Sequence, residues 1–253
     1  MISANRIKQI KALSQKKHRR ESGLFIVEGD KAVSELLQQS DWEISHIYAL
    51  QAWLDENILP PNTLFDKVSE KELSRISGLT KPNRVLAVVK TPERDITELK
   101  TGGKLILLLD NIRDPGNLGT IIRTADWFGI ENIICSENTA ELYNPKVIQS
   151  AMGSFLRVKL YYTSPEVYLS SLSEELPVMG ALLNGDNIYK KKFPDEGIVI
   201  IGNESRGISA NLINYITHRI YIPKHRDINK KILPESLNAS VAAGIILSHL
   251  RSQ

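Results

Sequence analysis

Three short polar loops gather the residues able to do chemistry, and each directly follows an apolar run. The first, DNIRDPGNLGTIIRTA (110–125), opens a helix, the position at which α/β folds place ligands. Asn117 reads as an N-cap that leaves backbone N–H groups free at a helix start, where oxyanions bind. Arg123 follows six residues later, about one and two-thirds turns along that helix. Its guanidinium is a permanent cation suited to phosphate or carboxylate, or to an ordinary surface salt bridge. The Gly116–Gly119 pair lacks both the glycine spacing of a dinucleotide fingerprint and the Lys-Ser/Thr of a phosphate loop.

The second loop, IGNESRG (201–207), offers Gly202 for close approach of backbone to a ligand. Its Glu204 can accept hydrogen bonds or orient a cation, although an acid on an exposed turn is also common. The third begins at Ile222–Pro223 and resumes, after a basic insert, as ESLNASVAAG (235–244). There Ser236 is expected to cap a helix, and Asn238 is polar where a buried helix would hold leucine.

The elements that must carry these loops are legible as apolar runs. Residues 104–110, 132–136, 178–183, 198–202 and 220–223 read as strands, alternating with helices at 117–128, around 145–155 and from about Ser236. Such alternation predicts an α/β domain with a mostly parallel sheet covered on both faces. Upstream, Ile7, Ile10 and Leu13 give residues 5–17 an amphipathic helical pattern. Strands are expected at 24–29, 44–49 and 85–90, with helices at 31–39, 52–57 and in the stretch ending at Gly78. The expected organisation is a small α/β domain at 1–92, a polar linker at 93–103 and a larger α/β domain at 104–253.

Composition excludes several classes. The 253 residues are 42% hydrophobic and 24% charged, as in globular rather than disordered chains. The mean hydropathy is −0.18, and runs such as Leu105–Leu109 and Val241–Leu247 are far too short to span a bilayer. The first residues are basic without the apolar stretch of a signal peptide. One cysteine, Cys135, permits neither an internal disulfide nor a cysteine-based zinc site, so a reducing compartment, the cytoplasm, is expected. Net charge is +3, yet residues 1–20 hold seven Lys/Arg and no acid. That density, with Lys16, Lys17, Arg19 and Arg20 foremost, suits a polyphosphate partner or a solvated helix face. A second basic stretch falls in the Lys224–Glu235 insert.

The ordered set N-x-G-x-x-x-R-T-x-x-x-F-G from Asn117, I-G-x-E-x-x-G from Ile201 and I-P…S-L-N-x-S-V-A-A-x-I resembles the SpoU family of RNA ribose 2′-O-methyltransferases, within the SPOUT superfamily. LFIVEGDKAVSELL (24–37) is similar to the opening of the substrate-binding domain often fused to these enzymes. The resemblance implies a trefoil-knotted C-terminal domain, S-adenosylmethionine as methyl donor, no metal and a homodimer acting on RNA, with ribosomal RNA favoured over tRNA by the fused domain. It assigns Gly202, Ile222 and Leu237 to the cofactor. Asn117, Arg123, Glu204, Ser236 and Asn238 fall at its catalytic and substrate-side positions. Asn117 and Glu204 are then expected to hold Arg123, which reaches toward the partner's cofactor. The Lys224–Glu235 connection is longer than the family's usual one. A catalytically inactive RNA-binding relative and a tRNA base methyltransferase of the same superfamily are the alternatives.

Overall fold

The computed structural model describes residues 2–224 and 236–252. In chain order its elements begin α1 (Ala4–Ala12), α2 (Lys16–Ser22), β1 (Leu24–Glu28), α3 (Asp30–Leu36), β2 (Ile44–Ala49), α4 (Gln51–Glu56), β3 (Phe65–Lys67), α5 (Glu70–Ile76) and β4 (Val85–Lys90). They continue β5 (Leu105–Leu109), α6 (Pro115–Trp127), β6 (Asn132–Cys135), α7 (Pro145–Ala151) and β7 (Lys159–Tyr162). Last come α8 (Pro165–Ser170), β8 (Val178–Asn187), β9 (Gly197–Ile201), β10 (His218–Tyr221) and α9 (Ala239–Arg251). The chain divides into two units, Met1–Glu93 with Glu141–Leu156, and Arg94–Ala140 with Arg157–Gln253.

In the first unit β4 lies between β1 and β2, antiparallel to both, and β3 adds to β2 in parallel. Alternation along the strands sends side chains to opposite faces. One face carries Ile26, Tyr48, Leu86 and Val88, and the expected amphipathic helix buries Ile7, Ile10 and Leu13 in the same cluster. α5 joins them through Leu73 and Ile76, its start fixed by a capping box in which Ser69 and Glu72 satisfy each other's backbone N–H. Phe25 packs instead among Trp42, Tyr143 and Phe155, with ring centroids 5.9, 4.6 and 6.4 Å away. Residues 141–156 are expected from sequence in the second domain. They group with the first unit, where Tyr143 and Phe155 complete this aromatic cluster. The Val-Glu-Gly motif also finds a physical role, since Glu28 accepts hydrogen bonds from the Ser77 hydroxyl and the Gly78 N–H and so closes the turn after α5.

Arg19 departs from its expected role as an RNA contact. It is 3% exposed, and its guanidinium donates to Glu141 at 2.6 Å and to the Leu13 and Ser14 carbonyls at 2.8 and 2.9 Å. A side chain so buried and so paired is not presented to a phosphate in solution. Lys16, Lys17 and Arg20 are exposed.

The second unit holds a six-stranded sheet, β10-β8-β9-β5-β6-β7, in which every pairing is parallel. All residues of β5 and β9 are buried, as a sheet covered on both faces requires. The sequence pattern predicts no element between Phe155 and Val178. β7 is four residues long with two exposed ends, and α8 is a short helix capped by Ser164 with Pro165 at its start. The stretch expected as a solvated linker contains a 3-10 turn at Ile96–Glu98, and Ile96 and Leu99 pack against the core around Ile106, Ile198 and Leu212. α6 and α9 lie side by side and point the same way. Asn238 meets Asn117 at their starts, and Arg251 donates to the Phe128 carbonyl at their ends. Among the described residues no helix is long and apolar enough to cross a membrane.

Candidate active site

Immediately after β9 the chain makes a tight hairpin at the carboxyl end of the sheet, where parallel α/β folds bind ligands. Asn203 N–H donates to the Gly207 carbonyl at 3.0 Å and Gly207 N–H returns a 2.8 Å bond, while Asn203 Oδ1 accepts from the Ser205 and Arg206 N–H groups. A Cβ on Gly202 would stand 2.3 Å from the Gly207 carbonyl carbon and 2.4 Å from the Ile208 nitrogen. Gly202 is therefore required by closure of the hairpin on itself, a different reason from the ligand approach expected of it.

α6 is capped by Asp114, whose carboxylate accepts the Asn117 N–H at 2.8 Å, with Pro115 in the first helical position. Asn117 is thus not the N-cap that its position suggested. It sits inside the first turn with its amide free for other partners. Its Nδ2 donates to the Glu204 carboxylate, and its Oδ1 accepts from Asn238 Nδ2 at 2.9 Å. Asn238, rather than Ser236, caps α9, with Oδ1 accepting from the Ser240 and Val241 N–H groups. Ser236 Oγ donates to the Glu204 carbonyl at 2.9 Å. Four expected residues from three loops, 87 and 121 positions apart along the chain, are joined in one hydrogen-bonded chain. Each amide is oriented by what it donates to and accepts from, so the cluster is a fixed construction rather than a set of adjacent polar groups.

Arg123 stands apart from it. Six residues beyond Asn117 is a third of a turn away around the helix. The side chain is exposed, with no hydrogen-bond or ion-pair partner among the described residues. Asn117 and Glu204 bond to each other and do not hold Arg123, contrary to expectation. One turn further on, Trp127 is 84% exposed on the same face of α6.

Beside the cluster lies a cavity of about 690 Å³, between the hairpin, the far part of β8, the chain leaving β10 and the start of α9. Along β8 the register jumps, so that Arg219 pairs with Gly180 but Ile220 with Asp186. The residues skipped leave the ladder, and Ala181–Asn184 become cavity wall. Gly202, Ile222 and Leu237 all line the cavity, as do Glu204 and Ser236, whereas Asn117, Asn238 and Arg123 do not. Leu183 and Leu237 expose 68% and 45% of their surface, apolar area suited to an aromatic ring. The volume falls within the range of small-molecule and cofactor sites, roughly 300–1,000 Å³. Glu204 lines the cavity and brings negative charge close to it. The basic insert beyond Lys224, residues 225–235, lies outside the described residues.

Cys135 supplies no nucleophile, because burial pushes its thiol far above the ordinary range. Among the described residues no group of three or more His, Cys, Asp or Glu side chains is placed to hold a metal ion. Leu183 and Asn184 are not among the residues expected at the site, although Asn184–Gly185 inside a strand pattern signals a break in the ladder. Neither are Asp110, Asn111 and Asn203, polar residues at the ends of β5 and β9.

The profile of the SpoU rRNA Methylase family matches residues 104–248, and that of the MRM3-like substrate binding domain matches residues 4–87. The chain is 32% identical over 248 residues to the 23S rRNA (guanosine(2553)-2′-O)-methyltransferase RlmP of Bacillus subtilis, covering 97% of this chain and 96% of the relative. Its fold is similar to the AdoMet-bound rRNA methyltransferase from Sinorhizobium meliloti, with a TM-score of 0.86, 28% identity and coverage of 100% and 97%. It is equally similar to the SpoU methyltransferase AviRb from Streptomyces viridochromogenes in complex with AdoMet, with a TM-score of 0.85, 25% identity and coverage of 100% and 98%.

Proposed function

The chain belongs to the SpoU rRNA methylase family, and we propose that it transfers a methyl group from S-adenosylmethionine to a ribose 2′-hydroxyl of ribosomal RNA. The observation that carries this reading is the junction of the three loops beside the cavity, with Glu204 and Ser236 belonging to both. The cavity suits the cofactor on chemical grounds. Leu183, Ile222 and Leu237 offer apolar surface for the adenine, the hairpin backbone offers polar groups, and Glu204 faces a ligand whose sulfonium is cationic. When bound, S-adenosylmethionine supplies the electrophilic methyl group.

The protein's task is then alignment. An in-line displacement needs the attacking oxygen held opposite the leaving sulfur, and fixing that geometry supplies much of the rate. Asn117, oriented from both sides, and Ser236 and Asn238 at the helix start are the groups that place the ribose. The 2′-hydroxyl is a poor nucleophile and must be relieved of its proton near the transition state. A guanidinium is not deprotonated in proteins, so Arg123 is not the base. It binds an RNA phosphate and stabilises the negative charge developing on the ribose oxygen, while the proton passes to phosphate or water.

The enzyme acts as a homodimer in which Arg123 serves the partner's site. Arg123 bonds to none of its own cluster, and Trp127 one turn along α6 and Val241 on α9 expose apolar surface that a second copy could bury. The N-terminal unit holds the RNA, with Lys16, Lys17 and Arg20 available for backbone phosphates. A single buried cysteine fits residence in the cytoplasm.

Incubation with tritiated cofactor and undermodified ribosomal RNA tests the reading. Label in alkali-resistant dinucleotides marks a 2′-O-methylated ribose and is the expected result. Label in a methylated base, label in tRNA alone, or no transfer despite cofactor binding would overturn it.

A further inference from the structure

We infer that Asp110 is a positioning residue for methyl transfer, because its buried carboxylate clamps the Asn203–Gly207 hairpin against the loop that opens α6 and so sets where Glu204 stands relative to Asn117. Asp110 is 2% exposed at the end of β5. One carboxylate oxygen accepts the Ser209 N–H at 2.7 Å and the other accepts Asn111 Nδ2 at 2.7 Å. Asn111, held at φ +59°, turns its carbonyl to Asn203 Nδ2 at 3.0 Å, and its own N–H donates to Ser136 Oγ at 2.9 Å. Both legs of the hairpin are thereby tied to residues 110 and 111, the first through Asn203 and the second through Ser209. The same hairpin supplies the cavity wall and carries Glu204.

A carboxylate withdrawn from water is costly unless its oxygens are met by donors, and here one backbone N–H and one amide meet them. The chemistry calls for Asp and not Asn. Two donors converge on two oxygens, so Asn would set its own NH₂ against one of them and lose that bond. The clamp acts on the substrate only through the hairpin, which makes Asp110 a positioning group rather than a catalytic one.

The inference rests on the methyl-transfer reading, and Asp110→Asn tests it by routes that separate the two. Hydrogen exchange of the full-length protein should speed at least tenfold in residues 202–209 while the strands of the second unit keep their protection, the size expected for one lost bond to a charged group. Calorimetry should show the cofactor binding about tenfold more weakly. At saturating cofactor, kcat should fall about tenfold or more with KM for RNA within about twofold of wild type, a split that general loosening would not give. Asn111→Gly tolerates the positive φ and keeps the carbonyl, so it deletes only the amide's bonds to Asp110 and to the Ser209 hydroxyl and serves if Asp110→Asn does not fold. It should move exchange and kcat in the same direction by a smaller factor. Wild-type exchange in the hairpin together with wild-type kcat would overturn the clamp. A wild-type protein that transfers no methyl group to RNA would instead overturn the function, while the exchange result judged the clamp independently.

Discussion

Replacing Asn117 by alanine removes a side chain that touches both other loops, donating to Glu204 and accepting from Asn238. A hydrogen bond to a charged group contributes about 1.5–3 kcal/mol when well buried. Asn117 and Glu204 are only half-buried and Asn238 is exposed, so water substitutes in part and about 1–2 kcal/mol is the reasonable loss. If that loss falls on the reactive alignment, kcat drops roughly five- to thirtyfold. Steady-state methyl transfer on ribosomal RNA measures it, and a double-mutant cycle with Asn238→Ala shows whether the two residues work as one. The expected double mutant falls short of the product of the two single effects, since either substitution alone already breaks the Asn117–Asn238 bond. Wild-type kcat for Asn117→Ala, or strictly additive effects of the pair, would refute the linked-loop reasoning.

Three further outcomes follow from named contacts. Gly202→Ala drives a Cβ to within 2.3 Å of the Gly207 carbonyl carbon, so the hairpin must shift and calorimetry should show at least a tenfold loss of cofactor affinity. Arg123→Ala should lower turnover about a hundredfold or more while leaving cofactor affinity intact, and mixing it with Gly202→Ala subunits should restore some activity if the arginine serves the partner's site. Glu72 is held down to about 2 by the Ser69 backbone and hydroxyl and then by the Ile2 N–H. Its contribution is present above the ordinary glutamate range and is lost as pH falls from there toward about 2. Glu72→Gln should accordingly flatten the acid limb of a stability-versus-pH curve.

The parts of this protein governed by local pattern were open to reading from its residues. Leu105–Leu109 and Gly197–Ile201 are apolar throughout because parallel central strands are covered on both faces, and Ile7, Ile10 and Leu13 mark the buried side of α1. The three loops announced themselves by following such strands, and four of their five polar residues do converge. What stayed hidden depends on partners distant in the chain. Nothing near Arg19 reveals that Glu141 neutralises it, and nothing near Tyr143 or Phe155 says that they pack with Phe25. Cap assignments slipped by a few residues because Asp114 and Asn117, like Ser236 and Asn238, are equally good caps in isolation. For Gly202 the sequence suggests only close approach to a ligand, and the folded hairpin adds that a Cβ there would strike the Gly207 backbone.

A crystal structure of the protein with S-adenosylhomocysteine would decide whether the cavity and the linked loops form one site. The ligand should lie between Leu183 and Leu237 with its sulfur toward the Asn117–Glu204 bond, and Gly202 and Ile222 should contact it. A ligand bound elsewhere, or seated in the cavity with its sulfur turned away from Asn117, would contradict the assignment.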